Sequence, residues 1–256
     1  MANLSLWQYF LVGVGAFLAG GVNALAGGGT LITFPLLTAV GIPAVAASIT
    51  NTVALCPGYF GATLAQKADI LEQKKRLWVL VPAAVLGGIV GGLLLLRSGE
   101  KLFSGLVPWL ILLAAVLLAL GDPLRNWLKR SSDNKGKGLS YDWIAIPAIA
   151  LAAVYGGYFG AGLSVIILAV LGITITESLT KLNALKQALA LATNVSAAIY
   201  FLFSGQVHWL AALVMAICSL AGGAAGGKLA GKINPSTLRW MVVGIGVVVA
   251  AIYFVK

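Results

Sequence analysis

The sequence predicts an all-α polytopic membrane protein built as two inverted repeats of five helical segments each. Three observations carry that prediction. Of the 256 residues, 60% are hydrophobic and only 9% are charged, with a mean hydropathy of +1.00. A soluble domain is roughly 45–50% apolar and about 25% charged. So little charge cannot cover a soluble globule, which excludes a soluble enzyme and a disordered chain alike. Second, apolar runs fall at 7–26, 30–41, 44–66, 77–97, 102–121, 141–157, 161–172, 178–204, 207–227 and 236–255. Third, adding 131 to positions of the first half lands on like residues in the second. Gly29 meets Gly160, Gly41-Ile42 meets Gly172-Ile173, Trp78 meets Trp209, Gly91-Gly92 meets Gly222-Gly223, Lys101 meets Lys232 and Trp109 meets Trp240. A duplication of five segments describes both halves.

The segments follow in order. Trp7 to Ala26 ends in Ala24-Leu25-Ala26, which looks like a signal-peptidase site, but no Lys or Arg precedes it. The missing basic region makes this a retained first helix. Eight runs are long enough, or nearly so, to cross a hydrocarbon core, which takes about 20 residues. The runs at 30–41 and 161–172 are too short, and each follows a glycine cluster, Gly27-Gly28-Gly29 or Gly160-Ala161-Gly162. Short segments after glycine breaks predict re-entrant or discontinuous helices. Cys56-Pro57 interrupts the third run, where proline removes a backbone hydrogen bond and commonly kinks a helix. Residues 122–142 form the one polar stretch and read as a linker loop. The domains are thus an N-terminal repeat at 1–121, a linker at 122–140 and a C-terminal repeat at 141–256.

Charge sets the orientation. The chain carries 17 Lys+Arg against 7 Asp+Glu, a net +10. Placing 67–76, 122–142, 173–181 and 228–239 in the cytoplasm gathers 13 of the 17 basic residues there. Arg97, Lys101 and Lys256 stay outside, and Lys186 lies within a helix. Lys/Arg-rich loops face the cytoplasm, so both termini are expected outside a cytoplasmic membrane. An odd number of crossings per half turns the second copy over, and inverted repeats with broken helices are a plan of secondary transporters. The basic excess therefore reports topology, and no nucleic-acid partner is expected.

All seven acidic residues, Asp69, Glu72, Glu100, Asp122, Asp133, Asp142 and Glu177, lie in loops or at segment edges. Cation porters and proton pumps place carboxylates within the membrane, so cation transport and a carboxylate relay are disfavoured. His208 is expected as an interfacial residue and Cys56 and Cys218 as small apolar ones. No Walker, Rossmann or metal-ligand pattern occurs, so no cofactor or metal is expected and any coupling uses a gradient.

What remains favours an anion. Gly27, Gly28, Gly29 and Thr30, and likewise Gly160 and Gly162, open short helices whose free N–H groups and positive dipole ends attract anions. Close helix packing is the alternative role of these glycines. On segment 178–204, Asn183, Lys186, Gln187 and Asn194 share one helical face. Lys186 lies eight residues past Ser178, about 12 Å along the helix. A lysine at that depth costs about 2.5–3.5 kcal/mol, and a transported anion is one natural partner; snorkelling to the interface is the other reading. The first half offers Asn23, Asn51 and Thr52, whose amides and hydroxyl either bind an oxyanion or glue helices together.

The stretches GGVNALAGGGTLITFPLLTAVGIPAVAASITNTVALCPG (20–58), YGGYFGAGLSVIILAVLGI (155–173) and KLNALKQALALATNVSAAIYFLFSGQVHW (181–209) resemble the TauE/SafE family of sulfite and organosulfonate exporters. The resemblance spans essentially the whole chain. It implies outward movement of a small sulfur-containing anion and points to the glycines at 27–29 and 160–162 with Asn51, Lys186 and Asn194. The second glycine motif departs from the first, with Ala161 and no following proline. The expected function is a secondary transporter, an exporter of sulfite or an organosulfonate working by alternating access. An anion channel is the alternative, and an enzyme is not expected, since neither cysteine has an acid–base partner nearby. Partners are the substrate anion and the bilayer, with a homodimer left open.

Overall fold

A computed structural model describes residues 4–25, 28–134, 142–229 and 235–255. Those residues form eleven helices and no strand. In chain order they are α1 (Leu6–Leu25), α2 (Thr30–Ala39), α3 (Ala44–Ala65), α4 (Lys67–Leu71), α5 (Lys74–Ala119), α6 (Gly121–Asn134), α7 (Asp142–Tyr158), α8 (Leu163–Thr174), α9 (Leu179–Leu202), α10 (Trp209–Leu229) and α11 (Pro235–Val255). The ten apolar runs account for nine of them because α5 is two arms, broken at Gly99 with φ +66°. Open space surrounds that glycine, so its left-handed backbone, and not crowding, calls for the missing Cβ. α3 stays helical through Pro57.

Four helices, α1, α5, α9 and α11, are long and apolar enough to cross a membrane. Trp7, Trp78, Trp143, Trp209 and Trp240 stand exposed near the starts of their helices. Amphipathic rings at helix ends are the signature of a membrane–water interface. The chain is an all-α, multi-pass membrane protein.

The expected linker loop is partly a helix. α6 occupies 121–134, and Leu128, only 4% exposed, fills a notch at Gly172. A Cβ at Gly172 would stand 2.1 Å from Leu128 Cδ2. Leu124 and Leu128 lie four residues apart on an otherwise polar helix, a spacing that a search for continuous apolar runs passes over. The remainder of the linker, 135–141, lies outside the described residues. Residues 67–71, read as loop, likewise form α4.

Small residues bring the halves together crosswise. A Cβ at Gly20 would lie 2.1 Å from Ser219 O, and one at Gly222 would lie 1.9 Å from Phe17 O, joining α1 to α10. The same pair of contacts joins α7 to α5: Gly157 meets Gly88 O at 2.2 Å, and Gly91 meets Val154 O at 2.1 Å. Gly222 and Gly91 differ by 131, as do Ser219 and Gly88, whereas Gly157 and Gly20 differ by 137. The first half therefore carries six more residues between this helix contact and its glycine cluster. α3 and α9 run antiparallel: Thr50 Oγ1 accepts from His208 N (3.0 Å) at one end, and Gln73 Nε2 donates to Lys181 O (3.0 Å) at the other.

The N-terminus of α3 is capped from a distance. Glu100, directly after the Gly99 break, accepts from Ala44 N at 2.5 Å and Val45 N at 3.0 Å. A carboxylate there satisfies two orphan donors and opposes the helix dipole. Glu100→Ala should cost about 1–2 kcal/mol, as for other lost N-caps. Thermal unfolding in detergent checks this, and a melting temperature equal to wild type would refute the cap.

Candidate functional site

The first break is built around Asn23. Gly28 has φ +93°, and a Cβ on it would meet Leu118 Cδ1 at 2.4 Å. Gly29 donates its N–H to Asn23 Oδ1 at 2.7 Å. A Cβ at Gly29 would strike Ala19 O and the Asn23 amide, both at 2.7 Å, so only glycine lets α2 start here. Leu31 N bonds Gly28 O and Ile32 N bonds Gly29 O, both at 2.9 Å. The Thr30 N–H donates to no carbonyl among the described residues.

The second break uses different parts to reach a similar end. Gly160 (φ +79°) and Gly162 (φ +78°) are both left-handed. Tyr155 Oη donates to Ala161 O at 2.6 Å and pins the loop. Leu163 N bonds Gly160 O at 3.2 Å and Val165 N bonds Gly162 O at 2.9 Å, while the Ser164 N–H finds no carbonyl among the described residues. Phe159, just before this loop, packs edge-on against Phe34 of α2 with centroids 5.2 Å apart. That contact holds the two breaks side by side.

Between them lies one small cavity of about 20 Å³, lined by Asn23, Gly28, Thr30, Tyr59, Leu118, Gly160, Gly162, Leu163, Ser164 and Val165. The volume just exceeds the ~10–15 Å³ that a single water needs. No charged side chain lines it. Its polar groups are two hydroxyls, an amide and a phenol beside two helix N-termini, a set rich in hydrogen-bond donors.

The other candidate residues stand elsewhere. Asn51, 3% exposed, accepts from Thr33 Oγ1 at 2.5 Å and donates to Thr30 Oγ1 at 3.4 Å, tying the first turn of α2 to α3. Thr52 Oγ1 bonds Ser48 O at 3.0 Å within its own helix. On α9, Lys186 Nζ donates to Asn183 Oδ1 at 3.1 Å, and Asn183 Nδ2 donates to Leu179 O at 2.9 Å. Gln187 is half-buried, and Asn194 Nδ2 donates to Ala190 O at 2.8 Å. None of these four lines the cavity. Gly27 lies outside the described residues. The structure thus gathers Asn23, Gly28, Thr30, Gly160 and Gly162, sets Asn51 behind them, and keeps the α9 group apart.

Two polar residues of the cavity, Ser164 and Tyr59, were not among the sequence candidates. Ser164 follows the second glycine cluster by two residues yet bears no charge or amide to draw notice. Tyr59 lies eight residues after Asn51, on the same face of α3, and that spacing is the signal that could have found it.

A lipid-facing helical bundle with two glycine-broken segments meeting at a small cavity points to the class, a multi-pass membrane transporter. Residues 12–253 match the family described as Sulfite exporter TauE/SafE, and the chain belongs to that family. It is 28% identical over 227 residues to a probable membrane transporter protein of Haemophilus influenzae, covering 89% of this chain and 87% of the relative. The probable membrane transporter protein YfcA of Escherichia coli K12 is 25% identical over 239 residues, covering 92% and 86%. The probable membrane transporter protein ORF9 of a Sinorhizobium species is 25% identical over 258 residues, covering 98% and 94%. No solved structure matches.

Proposed function

We propose that this chain is a secondary transporter that exports a small oxyanion, sulfite or an organosulfonate, across the cytoplasmic membrane by alternating access. The observation that carries the reading is the meeting of two glycine-opened helix N-termini at one small cavity with no carboxylate in its wall. Each N-terminus offers about half a positive charge, and hydroxyl and amide donors complete the oxyanion's hydrogen bonds. The crosswise glycine contacts and the antiparallel α3 and α9 support two inverted repeats, 1–121 and 141–256, rocking about the cavity. The 67–76 and 122–140 segments face the cytoplasm in this reading, and both termini face out.

A cavity of only about 20 Å³ suits a carrier better than a pore. Reconstituted protein should show saturable flux of sulfite or a sulfonate with counterflow. Ohmic current without counterflow would instead establish an anion channel. A hydrogen bond to a charged group is worth about 1.5–3 kcal/mol, so Ser164→Ala should lower flux at sub-saturating substrate by about tenfold or more. Wild-type flux in that variant would remove the cavity from the transport path.

A further inference from the structure

The antiparallel helices α3 and α9 are joined at both ends through residues that flank them, and the two ties differ in kind. At one end Arg76 Nη1 meets Glu177 Oε1 at 2.8 Å, and Lys181 Nζ meets Glu72 Oε2 at 3.1 Å and Glu177 Oε2 at 3.8 Å. Gln73 lies at the same joint, 5% exposed, donating Nε2 to Lys181 O at 3.0 Å and to Asp69 O at 3.1 Å. Its Oε1 is buried without a hydrogen-bond partner among the described residues. At the other end, the repeat offset carries Lys181 back to Thr50, and there Thr50 Oγ1 accepts one hydrogen bond from His208 N at 3.0 Å. Equivalent places thus hold an ion-pair network on one side and, on the other, the His208–Thr50 hydrogen bond beside the Glu100 cap of α3.

We propose that the Arg76–Glu177–Lys181–Glu72 network, with Gln73, is a latch that must part for the cavity to open toward the 67–76 side. Both walls of the cavity lead to it. Tyr59 lines the cavity from α3, which ends just before the α4 turn and Glu72. Ser164 lines it from α8, whose far end runs into Glu177 and the start of α9. An isolated exposed pair contributes little, but here Glu177 is shared by two cations, and its side chain and that of Arg76 are 27% and 20% exposed. The unpartnered Gln73 oxygen is a cost of the closed form, which keeps the latch reversible.

The latch rests on the alternating-access reading, but its test needs no substrate. In a Cys56→Ala/Cys218→Ala background, Ser164→Cys reports access to the cavity. A membrane-impermeant maleimide is applied to vesicles of each orientation. Adding Glu177→Gln should speed labelling from the 67–76 side by about fivefold or more, equivalent to about 1 kcal/mol at 1.4 kcal/mol per tenfold, and leave the other side unchanged. Arg76→Gln, which removes the other half of the 2.8 Å pair, should accelerate labelling from the same side likewise. Glu72→Gln, at a side chain 62% exposed, should give a weaker acceleration and serves if Glu177→Gln does not insert. An unchanged rate, or equal acceleration from both sides, overturns the latch. A protein that transports no oxyanion yet shows the one-sided acceleration would sink the substrate reading and leave the latch standing.

Discussion

Gly222→Ala and Gly91→Ala should each leave little folded protein. The added methyl would stand 1.9 Å from Phe17 O at Gly222 and 2.1 Å from Val154 O at Gly91. Both obstacles are backbone, so a helix must move as a body to make room. Overpacking typically costs about 1–3 kcal/mol and sometimes more, and a clash with main chain lies at the upper end. Lipid adds no hydrophobic drive to hold separated helices together, because packing itself is the attraction in a membrane. Gly61 and Gly244 are the controls, since a Cβ at either meets nothing within 4 Å. Alanine there should be neutral or stabilising by about 0.5–1 kcal/mol, the helical cost of glycine. Size-exclusion profiles and thermal unfolding in detergent separate the two groups. A wild-type profile for Gly222→Ala would mean that α1 and α10 do not approach closely.

The same glycines show what a sequence can and cannot disclose. Gly91-Gly92 and Gly222-Gly223 stand out as a duplicated pair, so a shared structural role was legible. Their partners were not, because which helix they meet depends on crosswise packing that no local pattern encodes. The short helices α2 and α8 were legible from length and glycine punctuation. The meeting of their N-termini depends on the Phe34–Phe159 contact, distant in sequence, and on the local Tyr155–Ala161 bond, among residues that read simply as apolar filling. α6 was illegible for the opposite reason: its apolar residues are few, and its polar face dominates any running average. The extra six residues of the first half are hidden as well, since a constant offset describes every conspicuous match from Gly29 onward.

Lys186→Ala should keep the protein folded and inserted while abolishing its thermal stabilisation by oxyanions. A cavity of about 20 Å³ holds no more than a water, so the anion-bound form must be wider. If the latch parts, the cavity is expected to widen toward α9 between Lys181 and Thr193, whose Cγ2 would stand 2.8 Å from a Cβ at Gly156, in the same crowd as Leu163 of the cavity wall. Lys186 lies between them, about 10 Å along the helix from Thr193. Two helix N-termini together supply about one positive charge; a dianion needs one more, and we propose that Lys186, between Lys181 and Thr193, supplies it. Removing it from a half-buried site relieves a desolvation cost of about 2.5–3.5 kcal/mol, so global stability should hold or rise. At a hundredfold excess over Kd, a ligand stabilises by about 2.7 kcal/mol, a shift that thermal unfolding resolves. The screen uses sulfite, sulfate, thiosulfate, sulfoacetate and simple carboxylates on wild type, Lys186→Ala and Ser164→Ala. Stabilisation lost in both variants makes cavity and lysine one site. Stabilisation retained in Lys186→Ala but lost in Ser164→Ala confines the anion to the helix N-termini and removes Lys186 from binding.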